Sequence, residues 1–206
     1  LLCTSAGGRY PVANYRDAVR EYTVEHSHAS HAALESGDTY MVGSLARLKL
    51  WGDRFGGRAE QAFHELFAGG VPDNVLFNTR AQMVETVFCV ESAIESCDAL
   101  LALDEAESEL HPVEARAGRG ISAVEAPRGT LFHEYELDDK GKVIAANVIT
   151  PTAQNLANVE RDLHGSGDRL LQAGGVADGG LERSLEMIAR AYDPCISCSV
   201  HVLRAR

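Results

Sequence analysis

Thr130-Leu131-Phe132-His133-Glu134-Tyr135-Glu136-Leu137, then Asp138-Asp139-Lys140-Gly141, then Val143 to Thr150, is the stretch that organises this chain. Both runs are strand-like, and Leu131, His133, Tyr135 and Leu137 fall on one face of the first. A period of two marks a strand, and an Asp/Gly-rich connector between two such runs marks a hairpin. The hairpin starts just after Pro127-Arg128 and ends just before Pro151-Thr152. Pairing the strands therefore sets two prolines, an arginine and a threonine side by side at one end of a rigid element.

Outward from the hairpin the pattern turns helical. Thr152 to His164 reads as a helix closed by Gly165, and Leu181 to Tyr192 as another, with Leu185, Ile188 and Ala189 facing inward. Between them Gly174-Gly175 and Gly179-Gly180 mark a connector, without the strand-then-helix context of a phosphate loop. On the N-terminal side, Gly118 to Ala126 reads as irregular. Helices are expected over Tyr15 to Leu34, Ser44 to Leu50 and Arg58 to Phe67, with Thr39 to Gly43 a loop. A long helix is expected from Pro72 to about Leu103, where Val84, Val87, Phe88, Val90, Ile94 and Leu101 imply burial on more than one face. The fold class is mainly α: a helical body carrying one β-hairpin, with no internal repeat.

Composition narrows the function. A chain of 206 residues with 45% apolar content can bury a core, and its net charge of −11 has no basic run to offset it. That argues against a nucleic-acid partner. No apolar stretch is long enough to span a bilayer. Cys3, Cys89, Cys97, Cys195 and Cys198 are too sparse and too odd in number for a disulfide framework. They favour a reducing, cytoplasmic compartment. Cys89 and Cys97, on the long helix, read as buried core thiols.

The tail carries the chemistry. It reads Asp193-Pro194-Cys195-Ile196-Ser197-Cys198-Ser199-Val200-His201. Pro194 fixes its own φ and keeps Asp193 out of the right-handed helical region, so the preceding helix stops here. The Cys195-x-x-Cys198 pair is then displayed on a turn, where both sulfurs can reach one ion. Thiolates select soft or borderline metals, and two are too few for a closed four-coordinate site. A structural zinc site or a free dithiol is the plain alternative.

Three segments in order carry a family resemblance. Asp193-Pro194-Cys195-x-x-Cys198-x-x-His201 resembles the C-terminal metal motif of nickel-iron hydrogenase large subunits. Glu125-Ala126-Pro127-Arg128-Gly129-Thr130-Leu131 and Asn147-Val148-Ile149-Thr150-Pro151-Thr152-Ala153-Gln154-Asn155 resemble two further motifs of that family. The wording is most like the soluble, bidirectional, NAD(P)-linked or sulfhydrogenase-type group. Residues 1–206 would then be the C-terminal part of a large-subunit domain.

The resemblance implies roles for individual residues. Cys195 would be a terminal nickel ligand and the leading base, and Cys198 would bridge nickel and iron. The family's other two thiolates come from an Arg-x-Cys-Gly-x-Cys segment that Cys3-Thr4-Ser5 does not match, so this chain alone looks like half a metal site. Arg128, always charged and rigidly forked, would lie over the metals and help split dihydrogen. Its plain alternative is a surface salt bridge. Pro127, Arg128, Pro151 and Thr152 would line the pocket around cyanide and carbon monoxide ligands on iron. Locally, Pro151 and Thr152 also read as a turn proline and a helix N-cap. His201, with the backbone at Val148, would bind a magnesium or iron ion nearby; a frayed terminal histidine is the alternative. His133, five residues after Arg128, is a candidate proton relay or a buried structural histidine. His26, His28 and His31 do not share one helical face and read as a polar surface rather than a metal site.

The implied activity is reversible heterolytic cleavage of H2. The implied partners are an iron-sulfur small subunit and diaphorase or flavin electron-transfer subunits. A maturation endopeptidase is implied too, since family members are commonly cut after the last histidine; here Val202 to Arg206 follow it. A reading from another class is a non-catalytic scaffold, related to the quinone-site subunit of respiratory complex I. A third is a remnant with only a structural role.

Overall fold

The computed structural model describes residues 1–103, 114–174, 179–195 and 198. The expected hairpin is present and gains a strand. β5 (Gly118–Ala126), β6 (Gly129–Leu137) and β7 (Val143–Ile149) form an antiparallel meander in the order β5-β6-β7. Phe132 lies between Ala123 and Ile149, and Glu134 between Ile121 and Asn147, so these two residues point to the inner face. Gly118 to Ala126 is thus a strand rather than irregular. Its glycines weaken the sequence signal, and as an edge strand it tolerates them.

Two further antiparallel pairs precede the meander. β1 (Leu2–Cys3) pairs with β2 (Arg9–Tyr10), and β3 (Val19–Val24) pairs with β4 (Ser27–Leu34). From Val19 onward the second pair replaces the helix expected over Tyr15 to Leu34, while Tyr15 to Asp17 belong to a 3-10 helix, Val12–Asp17. Val19 and Val24 favour extended backbone, while the alanines Ala29, Ala32 and Ala33 do not. They are strand residues because they are buried, with β4 lying against a helix. Tertiary packing overrides weak local preference here.

Among the described residues five α-helices complete the body: α1 (Ser44–Trp51), α2 (Gly57–Leu66), α3 (Asn78–Leu101), α4 (Pro151–Gln172) and α5 (Gly180–Ala191). α1, α2 and α5 lie where the sequence places them. α3 starts later than Pro72, after a 3-10 turn at Val75–Phe77 capped by the Asn74 side chain. Its burial is confined to Asn78, Ala81 and Val84, and Phe88, Val90, Ile94 and Leu101 are exposed. The expected two-faced burial is therefore absent among the described residues, and Cys89 and Cys97 are exposed thiols rather than core ones. α4 runs through Gly165 to Gln172 instead of stopping. Gly165 and Gly167 cost a helix on the order of 1 kcal/mol each relative to alanine, less than its buried first turns return.

Three small cores hold these elements. Tyr15, Ala18, Val19, Ala32, Phe132 and Ile149 join the β3–β4 pair to the meander. Leu45, Leu48, Phe67, Ala81 and Val84 join α1, α2 and α3. Val75, Ile188, Ala191 and Tyr192 seat α5. Among the described residues, no helix is long and apolar enough to cross a membrane.

Candidate metal centre

The N-terminus of α4 sits where three chain segments meet. Thr150 is its N-cap, accepting from the Ala153 N–H at 3.3 Å, and Pro151 occupies the first helical position, where its missing N–H costs nothing. Thr152 is therefore not the cap. It is buried, as are Gln154 and Asn155, and each of the three bonds a different segment. The Thr152 hydroxyl oxygen accepts the backbone N–H of Cys195 at 3.2 Å. Gln154 donates to the Thr130 carbonyl at 2.6 Å and accepts from the Tyr40 hydroxyl at 3.1 Å. Asn155 takes the Val42 N–H at 2.9 Å and gives to the Val42 carbonyl at 3.2 Å. A buried polar side chain needs such partners, and here the partners are the backbones flanking the site.

The turn that carries Cys195 is fixed just as densely. Asn78 donates to the Ala191 carbonyl at 2.9 Å. Tyr192 is buried and donates its hydroxyl to Asp162 at 2.6 Å, and burial together with that carboxylate pushes the phenol pKa up. Asp193 has φ +50°, a left-handed conformation that aspartate tolerates better than most residues. It is held there from two sides. The Arg128 Nε donates to its carbonyl at 2.6 Å and Nη2 to its carboxylate at 3.1 Å, while Gln82 donates to the other carboxylate oxygen at 3.2 Å. Arg128 does form a salt bridge, but to the residue two before Cys195 and not to a remote surface group. Its third nitrogen, Nη1, has no partner among the described residues.

Arg128 itself sits in a supported loop. Arg47, on α1, donates to the Ala126 and Pro127 carbonyls, each at 3.0 Å, and to Glu125 at 2.7 Å. The same guanidinium is anchored by Glu85 of α3 at 2.6 and 2.7 Å. Gly43 closes against this loop. Its φ is +114°, and a Cβ there would meet the Arg128 carbonyl oxygen at 2.9 Å. Having no side chain, Gly43 cannot cap α1, and Asn78 supplies the missing acceptor to the Leu45 N–H at 3.1 Å.

Cys195 and Cys198 converge. Their Cα atoms are 5.3 Å apart, and the sulfurs are joined as a disulfide. Only the reduced pair offers thiolates to a metal. Arg128 and Thr152, with Pro127 and Pro151 as their chain neighbours, are thus both tied to the turn that carries Cys195. His133 lies elsewhere, half-buried on the outer face of the meander, with the Tyr135 hydroxyl 3.1 Å from its Nδ1. His201 falls outside the described residues, as does Gly175 of the connector. Sequence reasoning missed the supports Asn78, Gln82 and Arg47, and gave no role to Asp193, Gln154 and Asn155, which it held only as letters of the motifs. Three polar residues in the first turn of a helix, Thr152, Gln154 and Asn155, were the available signal. They do not fit an amphipathic surface.

The sequence profile of nickel-dependent hydrogenases matches residues 30–201. The chain belongs to that family. It is 37% identical to the alpha subunit of sulfhydrogenase 1 from Pyrococcus furiosus, over 97% of this chain and 45% of that protein. It is 30% identical to the beta subunit of the NAD-reducing hydrogenase HoxS from Cupriavidus necator, over 92% and 40%. A crystal structure of an NAD+-reducing [NiFe]-hydrogenase in the H2-reduced state superposes with a TM-score of 0.79 at 30% identity, covering 93% of this chain and 43% of the other. The chain therefore has the large-subunit fold of the family and spans less than half the length of these relatives.

The donor set fits a nickel centre in part. Two cysteines share one turn, and a buried hydroxyl and a guanidinium from a second loop are each bonded to that turn. Cys195 and Cys198 would hold the metal, at most as half of a four-thiolate set.

Proposed function

We propose that this chain is the C-terminal part of the catalytic subunit of a nickel-iron hydrogenase, a cytoplasmic enzyme that splits H2 reversibly and heterolytically. The observation that carries this is the bond from Cys195 N–H to Thr152 and the clamp of Arg128 on Asp193, which fix the two cysteines next to the Pro127–Arg128 loop. Nickel and iron, when bound, supply the Lewis acidity that polarises dihydrogen. The chain's own residues do the rest. The Cys195 thiolate takes the proton. Arg128, oriented by Asp193 and permanently charged, keeps a donor over the site without itself acting as the base. Thr152 accepts from Cys195 with one lone pair, which leaves its O–H free to donate to an anionic ligand such as cyanide on iron. Pro127 and Pro151 wall that pocket without adding competing N–H donors. His201 would hold a magnesium or iron ion beside the site, and His133 remains the candidate relay on the outer face.

The two electrons released per H2 leave through an iron-sulfur small subunit and then reach NAD(P) or a similar acceptor by way of flavin-bearing subunits. The names of the two relatives, a sulfhydrogenase and an NAD-reducing hydrogenase, support that choice of acceptor. The test is to change Cys195→Ser and Cys198→Ser separately in the intact complex. Nickel content and H2/D2 exchange are then measured. Both should fall to background in both variants. Wild-type exchange in either variant would sink the assignment. With the wild-type complex, H2-dependent reduction of a deazaflavin but not of NAD(P) would overturn the acceptor.

A further inference from the structure

Away from the cysteine turn, the β3–β4 pair and α4 bring three potential ligands together. His26 lies in the turn between the strands, His31 on β4, and Glu160 on α4. The Nε2 atoms of His26 and His31 lie 2.7 and 3.0 Å from the same oxygen, Oε1 of Glu160. All three candidate ligand atoms fall within 4.8 Å of one another. His31 is 1% exposed, and the ring of Tyr22 lies 5.7 Å from its own. The side chains of His26 and Glu160 are open to solvent, 66% and 41% exposed.

The orientation of His31 is the deciding detail. Its Nδ1 is 3.2 Å from the Ala29 carbonyl oxygen. A carbonyl only accepts, so Nδ1 carries the hydrogen, and in the neutral ring the Nε2 lone pair faces Glu160. A lone pair and a carboxylate oxygen at 3.0 Å repel each other unless a cation lies between them. An Nδ1–H bonded to a backbone carbonyl, with Nε2 turned outward, is the arrangement that orients a metal-binding histidine. His26 presents its Nε2 to the same oxygen, so two imidazoles and one carboxylate converge. Bonds of about 2.0–2.2 Å to a tetrahedral ion would separate the ligand atoms by about 3.4 Å. That lies within the spread seen here, and the two exposed side chains are free to adjust.

We propose that His26, His31 and Glu160 form a binding site for a divalent, zinc-class cation. Two nitrogens and one oxygen suit a borderline ion better than magnesium or calcium, which prefer oxygen alone. Three protein ligands leave a fourth position to water. The ion ties the β3–β4 pair to α4. Glu160 follows Thr152 by eight residues, about 12 Å along the helix. The staple thus braces the same helix whose first turn holds Cys195, without belonging to that site. It stands independently of the nickel assignment.

The test is zinc binding by the intact complex that contains this chain. The complex is dialysed against a chelator, equilibrated with zinc chloride, and separated from free ion before metal analysis. Wild type should retain one zinc per chain. His26→Ala and Glu160→Gln should each weaken binding at least tenfold, and His164→Ala, an exposed histidine on the same helix, should not. His26 is exposed in a turn, so without zinc its variant should melt at the wild-type temperature. With zinc, only wild type and His164→Ala should gain in melting temperature. Repeating the titration in Cys195→Ser should leave the zinc stoichiometry unchanged, which separates this site from the nickel centre. No zinc on wild type, or equal binding by His26→Ala, Glu160→Gln and wild type, would overturn the proposal and leave a proton as the cation between His31 and Glu160.

Discussion

The start of β6 and its middle are held in different ways. At its start, neutral side chains fix Thr130, Val42 and Cys195, beside a loop that Arg47 and Arg128 hold through ion pairs. Gln154, Asn155 and Thr152 bond backbone groups of Thr130, Val42 and Cys195. Five residues from Gly129, Glu134 is held by charge. It accepts from the Tyr15 hydroxyl at 2.6 Å, from Arg16 at 2.9 and 3.1 Å, and from Arg119 at 2.5 and 2.8 Å. Amides bonded to backbone fix where a chain runs and are indifferent to pH and salt. Ion pairs cross-link elements but weaken in salt and fail in acid. The end that carries the candidate metal centre uses both kinds: neutral side chains hold Thr130, Val42 and Cys195, while the Arg47–Glu85–Glu125 and Arg128–Asp193 pairs hold the loop that carries Arg128.

The sharpest break in that comparison is Asn155→Ala. It removes two hydrogen bonds to Val42 and strands a backbone donor and acceptor in a part-buried loop. Each such loss costs about 1–3 kcal/mol, so a total of about 3 kcal/mol is expected. Hydrogen exchange at the Val42 amide reads it directly and should accelerate roughly a hundredfold. Unchanged exchange would mean that Gly43 and its neighbours hold the loop without Asn155.

Thr152 gives a smaller, more local effect. Thr152→Val keeps the shape and removes the oxygen that accepts from Cys195. Loss of such an outer support typically costs metal affinity ten- to a hundredfold. Nickel retained after chelation should fall about tenfold in Thr152→Val and stay near wild type in Thr152→Ser. Equal nickel retention in wild type, Val and Ser variants would mean that the Arg128–Asp193 clamp alone places the turn.

Legibility followed the same division. The meander's hairpin was readable because its alternation and its Asp/Gly connector agree with each other. The helices around it were readable where apolar residues recur at helical spacing and a glycine or proline ends the run. The stretch from Tyr15 to Leu34 was not. Its alanines, glutamates and histidines score as helix, and only burial against α4 makes them strand. That information lies more than a hundred residues away, as the 129-residue gap from His31 to Glu160 illustrates. The cysteines, Arg128 and Thr152 were legible as candidates because their spacing forms motifs. Asn78 and Gln82 were not, because a support that reaches across the fold to the Ala191 carbonyl or to Asp193 leaves no local pattern.

The mildest test is at Glu134. Hydrogen bonds from Tyr15 and Arg119, and then Arg16, outweigh burial and lower the Glu134 pKa to about 2, from an ordinary 4.5. A depressed carboxylate pKa adds stability that is fully present above the unfolded value. It is lost as pH falls through the folded one. The contribution should therefore persist at neutral pH and drain away between about pH 4.5 and 2. Glu134→Gln removes it at every pH, so wild type should be the more stable at pH 7, and the two should converge in acid. The gap should stay modest, because Arg16 and Arg119 are more than half exposed, at 58% and 54%, and water screens them. Added salt should narrow the gap at pH 7 while leaving the Asn155→Ala effect untouched. If instead salt and acid move both variants alike, the Asn155 contacts and the Glu134 cluster are not separable, and the amide contacts also depend on the ion pairs around them.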